Sequence, residues 1–128
     1  MKYVLSIVLA ISLFNCDNGK QLQHEVKTPT SFLTATSKQW NKNEKIISGT
    51  LSNKATKADY SNIVILVHYF SNTGYNLGTE RVVDYYILKA GESRDYRADI
   101  HPPTTADSID VTIERASYVD YNEKGKYD

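Results

Sequence analysis

Ile63-Val64-Ile65-Leu66-Val67-His68-Tyr69-Phe70 is the segment that most constrains the fold. It is an almost unbroken apolar run, and four of its residues are β-branched. Periodicity alone does not separate such a run from a buried helix. Its shortness and its β-branching favour a strand. A strand that is apolar on both sides belongs at the centre of a sheet, with a second layer over one face. Alternation puts Ile63, Ile65, Val67 and Tyr69 on one face and Val64, Leu66, His68 and Phe70 on the other. Ser71-Asn72-Thr73-Gly74 then supplies turn chemistry.

Working outward, the flanking segments repeat the strand pattern. Residues 31–40 and Glu44 to Ser52 read as two strands, followed by a polar connection over Asn53 to Asp59. On the other side, Leu77 to Leu88 reads as one long strand or two short ones with a kink. Ala90-Gly91-Glu92-Ser93 is a second turn. Arg94 to Ile100 alternates, with Tyr96, Ala98 and Ile100 on one face, and Pro102-Pro103 ends it because proline cannot donate to a ladder. Ser108 to Ala116 alternates again, with Ile109, Val111 and Ile113 pointing inward. Six or seven short strands separated by turns predict an all-β fold, an antiparallel β-sandwich of about seven strands over residues 31–117. It is Ig-like in architecture only, because a single cysteine excludes an antibody-type disulfide. Residues 118–128 read as a charged tail.

The first twenty residues have a different character. Met1 and Lys2 give a positive start, and Tyr3 to Phe14 is nearly all apolar. That length suits the core of a signal peptide and falls short of the roughly 20 residues of a spanning helix. The sequence then turns abruptly polar at Asn15-Cys16-Asp17-Asn18. Leu13-Phe14-Asn15-Cys16 resembles the lipobox of bacterial lipoproteins, with Leu13 and Cys16 in the matching positions and Phe14 and Asn15 bulkier than the family's small residues. The resemblance implies a signal peptide over residues 1–15, a signal-peptide helix that is removed, and lipid on Cys16. An ordinary secretory signal and a retained anchor are the other readings of such a stretch. Two or three acyl chains would hold a protein at the membrane almost permanently. Residues 16–30 read as the lipidated cysteine and a flexible tether.

Three further segments carry a second resemblance: Gly49-Thr50-Leu51-Ser52-Asn53, the run from Ile63 to Gly74, and Ala90-Gly91-Glu92-Ser93 before Tyr96. Together they resemble the FxLyD-type Ig-like domains of bacterial envelope proteins, over about residues 34–116. This chain has Ser71 where that family often has Asp, and Ala90 where it often has Pro. The resemblance implies a fold and an envelope setting, and no shared catalytic residues.

Composition bears on function by exclusion. Fifteen basic and fifteen acidic residues give a formal charge of zero, so the basic surplus of a nucleic-acid binder is missing. One cysteine is too few for a thiolate zinc site. His24, His68 and His101 lack the short spacing of a metal motif, and no metal or cofactor is expected. Asp120 to Gly125 echoes a calcium loop but has Lys124 in the fifth position, where an oxygen donor is needed. No catalytic spacing is present.

Ten tyrosines against three phenylalanines are the remaining signal. Exposed tyrosines anchor binding surfaces, although they also pack across strands. Tyr75 beside the Gly74 turn, and Tyr118 and Tyr121 near the tail, are the candidate binding residues. Tyr85 and Tyr86, if strand-like, point to opposite faces. The expectation is a non-catalytic, lipid-anchored interaction or accessory module of the bacterial cell envelope, held at the outer membrane through Cys16, with an envelope protein or glycan as partner. A small-ligand or glycan-binding lipoprotein is the alternative, and a hydrolase ranks third.

Overall fold

In the computed structural model, residues 19–121 are described. The deciding run lies in the longest central strand, β3 (Tyr60–Phe70). Ile63, Ile65, Val67 and Tyr69 are all buried, so the face assigned from alternation is the core face. On its other face Leu66, His68 and Phe70 are half-buried. Two antiparallel partners flank β3: β4 (Asn76–Asp84) on one side and β6 (Ser108–Tyr118) on the other. The opposing sheet is β1 (Leu33–Ser37), β2 (Ile46–Asn53) and β5 (Ser93–Asp99), with β2 in the middle. The chain thus forms a sandwich-like pair of three-stranded antiparallel sheets, β1-β2-β5 against β4-β3-β6.

The core lies between the sheets. Ile47 and Leu51 from β2, Tyr96 from β5 and Val111 from β6 meet the buried row of β3. Gly49 has a steric role there: a Cβ at that position would lie 1.8 Å from the Thr36 carbonyl oxygen. The Tyr96 hydroxyl donates to that same oxygen at 2.9 Å. At the β3–β4 turn, Gly74 takes φ +87°, a conformation that side chains other than glycine's rarely adopt.

Among the described residues six strands form, where about seven were expected. The segment from Leu77 to Leu88 breaks where a kink was allowed for. β4 ends at Asp84, the chain loops outward, and Leu88 returns to make an isolated bridge with Tyr60. The Asp84 carboxylate accepts from the Tyr86 backbone N–H at 3.0 Å, a local turn that competes with the ladder. The first strand is shorter than expected because Pro29–Ser31 forms a 3-10 turn before it.

Two boundaries need correction. The tether expected over residues 16–30 is not a free linker where it is described: residues 19–27 are helical (α1). Leu22 packs against the core, and Glu25 is fully buried. Sequence periodicity missed α1 because a polar residue holds it down, with no apolar stripe to betray it. The tail expected from Tyr118 onward starts later. Tyr118 is the last residue of β6, and the Val119 N–H donates to the Asp59 carbonyl at 3.0 Å. The signal segment, Cys16 and residues 122–128 lie outside the described residues. Among the described residues no helix is long and apolar enough to cross a membrane.

Candidate interaction surface

The three candidate tyrosines do not come together. Tyr75 follows the turn after Phe70, whereas Tyr118 is opposite Tyr60 at the other end of β3. Eleven strand residues separate those ends by about 33 Å. Tyr75 is 76% exposed, on a turn closed by its carbonyl accepting from the Ser71 N–H at 2.9 Å. Tyr118 is half-buried and packs against the core, so it is a cross-strand packing residue. Tyr121 is exposed at its ring, but its hydroxyl donates to Asp59 Oδ2. That bond holds the Tyr121 phenol above the usual tyrosine range.

The residues that do converge are Tyr85 and Tyr86, 71% and 76% exposed. A strand would have sent them to opposite faces. They leave the ladder instead, and both reach solvent at one corner. The corner is braced from below. Arg94 Nη2 pairs with Asp84 Oδ1 at 2.6 Å, and Arg94 Nη1 donates to the Ile87 carbonyl at 2.9 Å. The Arg94 guanidinium lies 5.8 Å from the centre of the Tyr86 ring, within cation–π range. Tyr85 borders a shallow depression of about 360 Å³ on the outer face of the second sheet. Its other walls are Asn62, Val64, Val83, Arg115 and Ser117. A smaller cavity of about 100 Å³ opens between β4 and β5, and Tyr85 and Tyr86 form its rim. The signal that points to these two tyrosines in the sequence is the Asp84-Tyr85-Tyr86 break itself: an aspartate able to bond its own backbone next to a paired aromatic.

The histidines are dispersed. His24 stacks edge-on against Phe32 with ring centres 5.5 Å apart, and His68 Nε2 lies 2.9 Å from Thr112 Oγ1. His101 Nδ1 lies 2.8 Å from Glu80 Oε2, while Glu80 Oε1 accepts from the Tyr69 hydroxyl at 2.6 Å. Burial works to raise the Glu80 carboxyl, but its bonds from Tyr69 and His101 outweigh this and hold it below the usual carboxylate range. Burial, and then the Glu80 carboxylate, push the Tyr69 phenol above its ordinary value. This trio borders a shallow cleft of about 260 Å³ with Leu77, Thr79 and Pro103. Among the described residues no group of three or more His, Cys, Asp or Glu side chains is arranged to hold a metal ion.

The most elaborate polar site is structural. The Glu25 carboxylate accepts from the backbone N–H groups of Thr56, Lys57 and Ala58 at 2.8–3.0 Å, from Thr56 Oγ1 at 3.0 Å and from Gln21 Nε2 at 2.6 Å. The Tyr60 hydroxyl donates to the Glu25 carbonyl at 2.7 Å. Burial raises the Glu25 carboxyl, but those bonds prevail and bring it down to about 2. Beside it, buried Asn53 donates to the carbonyls of Ala58 and Leu88 at 3.0 and 3.2 Å and accepts from the Ala55 N–H at 2.9 Å. Glu25 and Asn53 together tie α1, the β2–β3 loop and the Leu88 bridge into one end of the sandwich. Comparison with family models, curated protein sequences and solved structures finds no match to this chain.

Proposed function

We propose that this chain is a lipid-anchored, non-catalytic interaction module of the bacterial cell envelope, held at the outer membrane by acyl chains on Cys16. Lipidation rests on Leu13-x-x-Cys16 after an apolar run. The alternation of strands between sheets, β1-β2-β5 and β4-β3-β6, is compatible with an Ig-like arrangement that lacks one edge strand. The FxLyD-like reading draws support from two of its motif positions having definite work, with Gly49 under the Thr36 carbonyl and Asn53 joining the β2–β3 loop to the β4–β5 connection.

The observation that carries the interaction reading is the braced Tyr85–Tyr86 corner. Tyrosines offer large contact area at small entropic cost, and the Asp84–Arg94 pair fixes their base before any partner arrives. A photo-crosslinker at position 85 in the lipidated protein, activated in intact membranes, tests it. One discrete adduct is expected, lost in Tyr86→Ser and kept in Tyr75→Ser. An adduct indifferent to Tyr86→Ser refutes the corner as the docking site.

Ligand binding is the second reading, favoured by an open depression of about 660 Å³ beside β2 and β5. Lys38, Lys45 and Arg97 meet Glu44 and Asp95 there. Its volume is within the range of small-molecule sites. A glycan array probed with the protein and with Arg97→Ala separates the readings, since only the ligand reading requires an Arg97-dependent signal.

A further inference from the structure

The end of the sandwich where β3 begins has a charge pattern that the docking corner does not use. Lys20 and Lys27 on α1, Lys54 and Lys57 in the β2–β3 loop, and Lys89 after the Leu88 bridge are all exposed. Backbone bonds place them at one end. The Lys57 N–H donates to Glu25, the Lys54 N–H to the Phe32 carbonyl, and the Ala90 N–H to Asp59 Oδ1. On α1, Lys20 and Lys27 are about 140° and 160° round the helix from buried Glu25, so they face away from the domain. Among the described residues none of the five sits in an ion pair.

The acids at this end are turned inward or outnumbered. Glu25 is buried, Asp59 accepts from Tyr121 and Ala90, Glu92 is half-buried, and Asp120 is exposed. The opposite end mixes Lys38, Lys42 and Lys45 with exposed Glu44, Asp99 and Asp107. The two ends of a chain of zero net charge therefore differ in surface character.

Position adds a second, independent argument. Only Asp17 and Asn18 separate Cys16 from Gly19, and three residue steps span at most about 10 Å. Docked α1 leaves no long linker between the anchor and this end.

We propose that this lysine-bearing end rests on the anionic headgroup surface of the membrane and sets the orientation of the domain. The proposal builds on the lipid-anchored reading. Each basic residue close to an anionic surface strengthens association about fivefold. The acyl chains supply the attachment, and the five lysines supply the orientation. With that end down, the Tyr85–Tyr86 corner, which follows edge strand β4 between the Ile63–Asp84 pair and the Tyr60–Leu88 bridge, lies close to the membrane surface.

The test uses the mature lipidated protein reconstituted into vesicles of phosphatidylglycerol or of phosphatidylcholine. A membrane-impermeant amine reagent labels lysines, and each site is read by mass spectrometry. Lys20, Lys27, Lys54, Lys57 and Lys89 are expected to label at least about fivefold more slowly on the anionic vesicles. Lys38, Lys42 and Lys45 should be unchanged. Lys54→Glu with Lys57→Glu, on exposed side chains that leave their backbone bonds intact, should abolish protection of the remaining three. Equal labelling on both vesicles, with acyl mass present on the Cys16 peptide, overturns the orientation and leaves the anchor standing. A Cys16 peptide without acyl mass overturns both.

Discussion

Replacing Glu25 with Gln changes one atom of the side chain and should cost a large part of the fold's stability. One carboxylate oxygen accepts from the Lys57 and Ala58 N–H groups, and the other from Thr56 N, Thr56 Oγ1 and Gln21 Nε2. An amide has only one accepting oxygen. Whichever way the substituted side chain turns, its NH₂ faces at least two donors that have lost their acceptor. A hydrogen bond to a charged group contributes about 1.5–3 kcal/mol, and a buried donor left unpaired costs about 1–3 kcal/mol. Two such losses, partly relieved by local movement, give an expected cost of about 3–5 kcal/mol against a total of about 5–15 kcal/mol for a domain of this size.

The pH dependence has a definite sign. The folded Glu25 carboxyl is depressed from its ordinary 4.5 to about 2, so it stabilises the protein above pH 4.5 and loses that contribution as pH falls toward 2. The full shift corresponds to about 3 kcal/mol. Urea denaturation of wild type and Glu25→Gln at pH 7, 5, 4 and 3 reads both quantities. Wild type should lose stability below pH 5 more steeply than the variant, so the gap between them narrows with acidity. A variant within about 0.5 kcal/mol of wild type at pH 7, the usual scale of surface substitutions, would show that α1 is not docked through this carboxylate. An unchanged gap from pH 7 to pH 3 would refute the electrostatic account.

The remaining expectations concern the core and its supports. Ile65→Ala, on the buried face of β3, should cost about 2–5 kcal/mol in urea or thermal unfolding, and wild-type melting would show the strand to be peripheral. Gly49→Ala drives a methyl into the Thr36 carbonyl and should lower stability by at least about 2 kcal/mol, while Ser48→Ala next to it, on the outward face of β2, stays within about 0.5 kcal/mol. Asn53→Ala strands the Ala55 N–H and the Ala58 carbonyl, while the Leu88 carbonyl keeps the Tyr60 N–H, for a cost of about 2–4 kcal/mol. Amide exchange at Ala55 should accelerate in that variant, and unchanged exchange there counts against the role of Asn53.

The strands of this protein were legible because each one writes its burial into a two-residue period. The alternation of Ile63, Ile65, Val67 and Tyr69, of Tyr96 and Ile100, and of Val111 with its neighbours is a local property, and the sequence alone determined the all-β class and which residues of β3 share a face, while the opposing sheet decided which of the two faces is the core. The turns at Gly74 and Gly91 were equally local, since each needs a positive φ. Other features depend on partners far away in sequence. Glu25 looks like any tether residue until the backbone of residues 56–58, more than thirty positions on, turns three N–H groups toward it. Tyr118 and Tyr121 look as available as Tyr75 until Tyr60 and Asp59 are brought beside them. Tyr85 and Tyr86 become one exposed corner only because Asp84 and Arg94 hold the chain out of the ladder. A hydrophobic period can be read along a chain, but hydrogen-bond partners chosen across the fold leave no period to read.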